Sequence, residues 1–140
     1  MEVLAQERLL TGLDHARLST LLFKPRFAAS LPAGLAETAR ELLDASEVVD
    51  ATAVDPDVVT MRSRVIIDRP GIGEINVCLV YPIEADPESG CISVLTPLGL
   101  SLLGARVHQV ITWTGPDGRE HRAKLLRMIY QPEAAGDYRI

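Results

Sequence analysis

Apolar positions recur every three or four residues over the first third of the chain and every second residue beyond it. The change of period divides the sequence near residue 54. Leu10, Leu13, Leu18 and Leu21 form a stripe at helical spacing. The helix is predicted to start at "TGLD", where Thr11 can cap the free amides and Asp14, three residues on, makes an acidic variant of the capping box. Pro25 ends it. A second helix is predicted from near Pro32, with Leu35, Ala39, Leu42, Leu43 and Val49 on one face and Glu37, Glu41 and Asp44 on the other. A short connection makes the two helices antiparallel neighbours, so residues 1–53 are expected to form a helical hairpin.

From residue 58 the period is two. "VVTMRSRVII" sets Val59, Met61, Ser63 and Val65 against Thr60, Arg62 and Arg64, the pattern of a half-buried strand. "EINVCLVYP", "CISVL", "QVITW" and "EHRAKLLRMIY" supply further strands, the last two joined by the turn "TGPDGR". Within "TPLGLSLLG", Pro97 can open a short helix and Gly104 can end it. The expected fold class is α+β, with an antiparallel sheet domain carrying one short helix over residues 54–140. The tail "PEAAGDYRI" is polar and expected to be loosely held, with Tyr138 able to pack back.

Charge separates the two predicted helices. Residues 8–26 hold Arg8, Arg17, Lys24 and Arg26 against Asp14 alone, whereas residues 31–57 hold seven acids against Arg40. Arg17 falls in its helix's apolar stripe and is expected to pair with Glu37 or Glu41. A net charge of −5 argues against a nucleic-acid binder working through a general basic surface. No sequence-specific nucleic-acid partner is expected.

Candidate chemistry is sparse. Cys78 and Cys91 form no CxxC pair and read as free thiols in a reducing compartment. His15, His108 and His121 lack metal-ligand spacing, so neither a metal nor another cofactor is predicted. No GxSxG, P-loop or GxGxxG is present, and "GIG" at 71–73 precedes a strand. No catalytic residue is assigned, and the chain is expected not to be an enzyme. No apolar run approaches the ~20 residues of a membrane span, and "MEVLAQERLL" is too charged for a secretory signal. A cytoplasmic protein without a membrane partner is expected.

Four stretches in order, "DPDVVTMRSRV", "LVYP", "ISVLTPLGLSLLG" and "YQPEAAGD", resemble the bacterial nucleoside diphosphate kinase regulators of the Rnk type, relatives of the Gre transcript-cleavage factors GreA and GreB. The match runs from about residue 55 to 137, with a looser one across "LTGLDHARLSTLLFKPRF". The resemblance implies an FKBP-like carboxy-terminal domain, an amino-terminal coiled-coil hairpin, and RNA polymerase as partner at the rim of its secondary channel. A monomer is expected. By carry-over, Thr96, Pro97, Leu98, Gly99, Ser101 and Leu102 are docking candidates, although Leu98, Leu102 and Leu103 also read as residues that hold the short helix to the sheet.

In Gre factors a long coiled coil carries an acidic tip that helps hold a metal ion at the polymerase active centre. Here the corresponding stretch "FKPRFAASLP" carries Lys24, Arg26 and Phe27 and no carboxylate. Arms of about 13–19 residues reach roughly 20–28 Å, about half the Gre length. Lys24, Arg26 and Phe27 are candidates for a contact tip; the alternative is a solvated turn with Phe27 folded back. The resemblance thus implies a regulator that occupies the secondary-channel site, competes with Gre-type factors without stimulating cleavage, and affects nucleoside diphosphate kinase indirectly. The alternatives are direct regulation of a nucleotide-metabolism enzyme and FKBP-type proline isomerisation. The latter needs an aromatic-walled pocket that six aromatics in all make hard to build.

Overall fold

The structure, a computed structural model, describes residues 8–137; residues 1–7, with most of the stretch read for targeting, and residues 138–140, with Tyr138, lie outside the described residues. The described part of the tail is tied down rather than loosely held: Pro132 is buried, Glu133 accepts from the Thr60 hydroxyl and Asp137 accepts from the Tyr130 hydroxyl. The chain runs β1 (Leu9–Thr11), α1 (Gly12–Phe23), α2 (Pro25–Ser30), α3 (Leu35–Ala45), β2 (Glu47–Val49), β3 (Arg64–Arg69), β4 (Gly73–Val80), β5 (Cys91–Ser93), α4 (Pro97–Leu102), β6 (Val110–Thr114) and β7 (Glu120–Tyr130). It is a mixed α+β fold.

Thr11 caps α1 as its position predicts, its Oγ1 accepting from the Asp14 amide at 3.1 Å. The Asp14 carboxylate is buried. It accepts from the Met61 amide at 3.1 Å and the Tyr81 hydroxyl at 3.4 Å, which fastens α1 to the sheet. Pro25 ends α1 but also opens α2, so the expected open turn contains a helix of its own. A proline at the first helical position has its φ already set and lacks an N–H that would go unpaired there. The following helix starts at Leu35 rather than near Pro32, because Gly34 takes a left-handed φ of 82° that breaks the run.

Five strands form one sheet in the order β5-β4-β3-β7-β6. Pairs β3/β4, β3/β7 and β6/β7 are antiparallel. Pair β4/β5 is parallel, which corrects the expectation of a wholly antiparallel sheet. The link over 81–90 coils through two short 3₁₀ turns, Pro82–Glu84 and Pro87–Ser89, and returns the chain to run alongside β4. A second, two-stranded sheet pairs β1 with β2 in parallel.

The strand predicted to begin near Val58 begins at Arg64. Residues 60–63 instead form a turn, with the Ser63 amide donating to the Thr60 carbonyl at 3.0 Å and Arg62 at φ 66°. Thr60, expected to face outward, is buried; its hydroxyl contacts Ser63 Oγ at 2.9 Å and donates to Glu133 at 2.6 Å. These side-chain bonds hold the turn, while backbone bonds continue on either side of it: the Leu79 amide donates to the Ser63 carbonyl at 2.9 Å and the Val59 amide to the Ala105 carbonyl at 2.8 Å.

Leu18 and Leu22 of α1, and Leu35, Ala39 and Leu43 of α3, lie in one apolar cluster with Val65, Ile67, Leu79, Leu102, Ile111 and Leu125. The helical segment and the sheet therefore share a core. Each fully buried leucine contributes about 1.5–3 kcal/mol of transfer free energy. Arg17, expected to pair with Glu37 or Glu41, stands over the Tyr81 ring at 5.9 Å, while both glutamates are exposed.

Candidate docking surfaces

α4 is placed by its own caps. The Thr96 hydroxyl accepts from the Gly99 amide at 3.0 Å and donates to the Ser93 carbonyl at 2.8 Å. This side chain joins the helix start to the end of β5. A Cβ on Gly99 would collide with that same Ser93 carbonyl, so only glycine fits where α4 crosses β5. Of the sequence-predicted docking residues, Pro97 is exposed and Thr96 and Leu98 are half-buried. Gly99, Ser101 and Leu102 are buried, with Ser101 at 7% exposure and its hydroxyl donating to the Leu98 carbonyl.

Pro97 and Ser101 border a groove of about 650 Å³ between α4, the start of α3 and the end of β6, where Leu35, Leu42, Trp113 and Pro116 also line it. Arg8 closes one side, donating to the Ser101 carbonyl at 2.7 Å; burial pulls its pKa down. Trp113 was missing from the sequence-derived set because nothing local connects residue 113 to α4.

At the other candidate surface, Lys24 and Arg26 are exposed. Phe27 is half-buried and packs against the core, whereas Phe23, unmarked in the sequence reading, is 88% exposed. The helical period explains the exchange: Leu18 and Leu22 point inward, so Phe23 is turned away. Among residues 23–34 there is no Asp or Glu.

Phe27 forms one wall of a second groove, about 1030 Å³, with Arg17, Leu21, Arg62, Tyr81, Ile83 and Glu84. The Arg62 guanidinium lies 5.4 Å from the Tyr81 ring centre and donates to Glu84 Oε2 at 2.8 Å, while its Nη1 is buried without a partner. Tyr81 thus has two guanidiniums over its ring. Burial, then the nearby Asp14 charge, pushes its hydroxyl pKa far up. Burial also raises the carboxyl pKa of Asp14, against the hydrogen bonds from Met61, Thr11 and Tyr81, and that of Glu133. Among the described residues, no group of three or more His, Cys, Asp or Glu could hold a metal ion, and no helix is long and apolar enough to cross a membrane.

Residues 54–130 match the family described as transcription elongation factor, GreA/GreB, C-term. The chain is 38% identical to the regulator of nucleoside diphosphate kinase of Escherichia coli (strain K12) over 93% of its own length and 94% of that protein's. It is 32% identical to transcription elongation factor GreA of Acetivibrio thermocellus over 55% of this chain, spanning about half of that longer protein (49%). A solved structure titled prokaryotic transcription elongation factor GreA/GreB from Nitrosomonas europaea superposes with a TM-score of 0.70 at 31% identity, covering 89% of this chain and 99% of that one. These relatives are named as regulators and transcription factors rather than enzymes. The chain belongs to the GreA/GreB transcription elongation factor family, alongside the regulators of nucleoside diphosphate kinase.

Proposed function

We propose that the protein binds RNA polymerase at the rim of the secondary channel, competes there with Gre-type factors and does not stimulate transcript cleavage. Its effect on nucleoside diphosphate kinase is then indirect, through transcription. In this reading it acts in the cytoplasm as a monomer. Residues 54–140 are an FKBP-like docking unit and residues 1–53 an antiparallel helical arm.

One observation carries the reading: the arm ends in cations. Residues 23–34 expose Phe23, Lys24 and Arg26 and contain no carboxylate. A catalytic magnesium takes hard oxygen ligands, and a lysine and an arginine repel it. Glu37 stands in the first turn of α3, beyond this stretch. Reach points the same way, since helices of 12 and 11 residues are only roughly 16–18 Å long. For docking, the accessible part of the α4 segment is Pro97 with the flanks of Thr96 and Leu98, beside the Trp113 groove. Gly99, Ser101 and Leu102 serve by shaping that segment.

The test is a competition for purified core polymerase between labelled GreA and the full-length chain. Displacement of GreA, weakened by Pro97→Asp and Trp113→Ala, supports the proposal. Retention of GreA at saturating concentrations of the chain overturns it.

A further inference from the structure

Two cysteines that are 13 positions apart in the sequence meet on the sheet. Cys78 of β4 and Cys91 of β5 are direct register partners across the parallel edge pair, and both are half-buried. Arg64 of β3 is the partner of Cys78 on its other side, so the three residues form one row on one face of the sheet. Arg64 Nη2 approaches Cys91 Sγ at 4.0 Å, and Ser89 Oγ lies 3.5 Å from the same sulfur. The Cys78 thiol lies 3.8 Å from the Arg62 carbonyl. Burial raises the Cys78 pKa first, and the neighbouring Cys91 adds to it, so the two sulfurs interact electrostatically.

Neighbouring strands lie about 4.8 Å apart, inside the Cα separation of roughly 4.4–6.8 Å that a disulfide spans. Side chains directly opposite in a parallel pair point the same way, so closing the bond draws their Cβ atoms together to about 3.8 Å. Both thiols are half-buried rather than sealed in the core, and disulfides that stay accessible are the labile, regulatory ones. A metal reading lacks ligands: among the described residues these two thiols have no third donor beside them.

We propose that Cys78 and Cys91 form a reversible intrachain disulfide, with a low-molecular-weight disulfide such as oxidised glutathione as the oxidant. The Cys91 thiolate, beside Arg64, attacks one sulfur of the small disulfide; that S–S bond breaks, a mixed disulfide forms and one thiolate leaves. The Cys78 thiolate then attacks the Cys91 sulfur and expels the second small thiolate. Two protein thiols are oxidised, one small disulfide is reduced to two thiols, and the two cysteine protons end on the leaving groups. The bond pins β5, an edge strand of only three residues, to β4. β5 runs directly into α4 through the Ser93 contacts with Leu95, Thr96 and Gly99. Oxidation therefore restrains the strand that leads into α4 and changes polymerase affinity. This last clause alone rests on the proposed docking role.

The full-length chain is incubated with oxidised glutathione, free thiols are blocked, and the protein is cut on the carboxyl side of glutamates. Glu84 and Glu88 separate the two cysteines. The expected product is a linked peptide pair carrying Cys78 and Cys91, about 2 Da lighter than the summed thiol peptides and released by dithiothreitol. Cys78→Ser is expected to stop at a glutathione adduct on Cys91. Glutathione left on either cysteine of the native chain without a link, a link between two chains, or two unreacted thiols would each overturn the proposal. Binding of the oxidised and reduced forms to core polymerase is then compared. A linked protein that binds as tightly as the reduced one removes the α4 clause and leaves the disulfide. Binding by neither form rejects the docking role, not the disulfide.

Discussion

α2 and α4 are both six-residue helices opened by a proline, and they end up in opposite environments. α4 is held by the Thr96 side chain and buries Gly99, Leu100, Ser101 and Leu102. α2 has no side-chain cap bond and buries none of its residues. The difference lies in the flanks. "SVLTPLGLSLLG" surrounds its proline with leucines and small residues that fit under a sheet, whereas "FKPRFAAS" surrounds it with cations. A proline at the first helical position starts a helix but says nothing about what the helix packs against. The segment with the strong sequence pattern is mostly architecture, and the chemically plain one is mostly surface.

The two helices differ most at Gly99, where α4 has no room for a side chain. Gly99→Ala forces a methyl group into the Ser93 carbonyl and is expected to destabilise the protein by about 3 kcal/mol, measured by urea unfolding. A substitution within α2, such as Ala29→Gly, should cost under about 1 kcal/mol. Asp14 ties the helical segment that carries α2 to the sheet. Asp14→Ala strands the Met61 amide and the Tyr81 hydroxyl and is expected to cost about 2 kcal/mol.

The charge on Asp14 works in the other direction. Burial raises the folded-state pKa values of Asp14 and Glu133, so both hold protons more readily in the folded chain than in the unfolded one. Their contribution to stability is fully present below the unfolded carboxylate range, near about pH 4, and is lost as pH rises through the raised folded values. A thermal-melt series read against pH should show this component, and Asp14→Asn should flatten it while keeping an acceptor for the Met61 amide.

Smaller effects sharpen the contrast between the two helices. Thr96→Ala removes the α4 cap and should cost about 1 kcal/mol, seen as a lowered melting temperature. Lys24→Ala, at the equivalent position before α2, should be nearly silent. The pair Lys24→Glu and Arg26→Glu should change stability by less than about 0.5 kcal/mol yet weaken polymerase binding. Unchanged binding would mean that the tip makes no contact.

What could be read in the chain was local. Thr11 announced its cap, Pro97 and Gly104 bracketed α4, and the alternation of "EINVCLVYP" and "EHRAKLLRMIY" marked β4 and β7. The Thr96 cap was not read, because that residue stood out only as a docking candidate. The misread segments depend on partners far along the chain. Val58 and Val59 pair with residues 104–106 rather than with the five-stranded sheet, and residues 60–63 turn away where Thr60 bonds Glu133; Gln131 donates to the Asp55 and Val58 carbonyls. The parallel course of β5 depends on how residues 81–90 fold back, and no period records that. The candidate surfaces were legible only as segments. Which α4 residues face outward is decided by the close approach of Gly99 to β5. The exchange of Phe27 for Phe23 as the projecting ring follows from α2 being a helix rather than an open turn.

In the proposed function, a short arm ending in cations occupies the polymerase without delivering oxygen ligands to its metal. The most direct measurement adds the purified chain to backtracked elongation complexes, with and without GreA, and follows the length of the labelled nascent RNA. The expected result is no shortening by the chain alone and a dose-dependent suppression of the cleavage that GreA stimulates. RNA shortened from its 3′ end by the chain alone would contradict it.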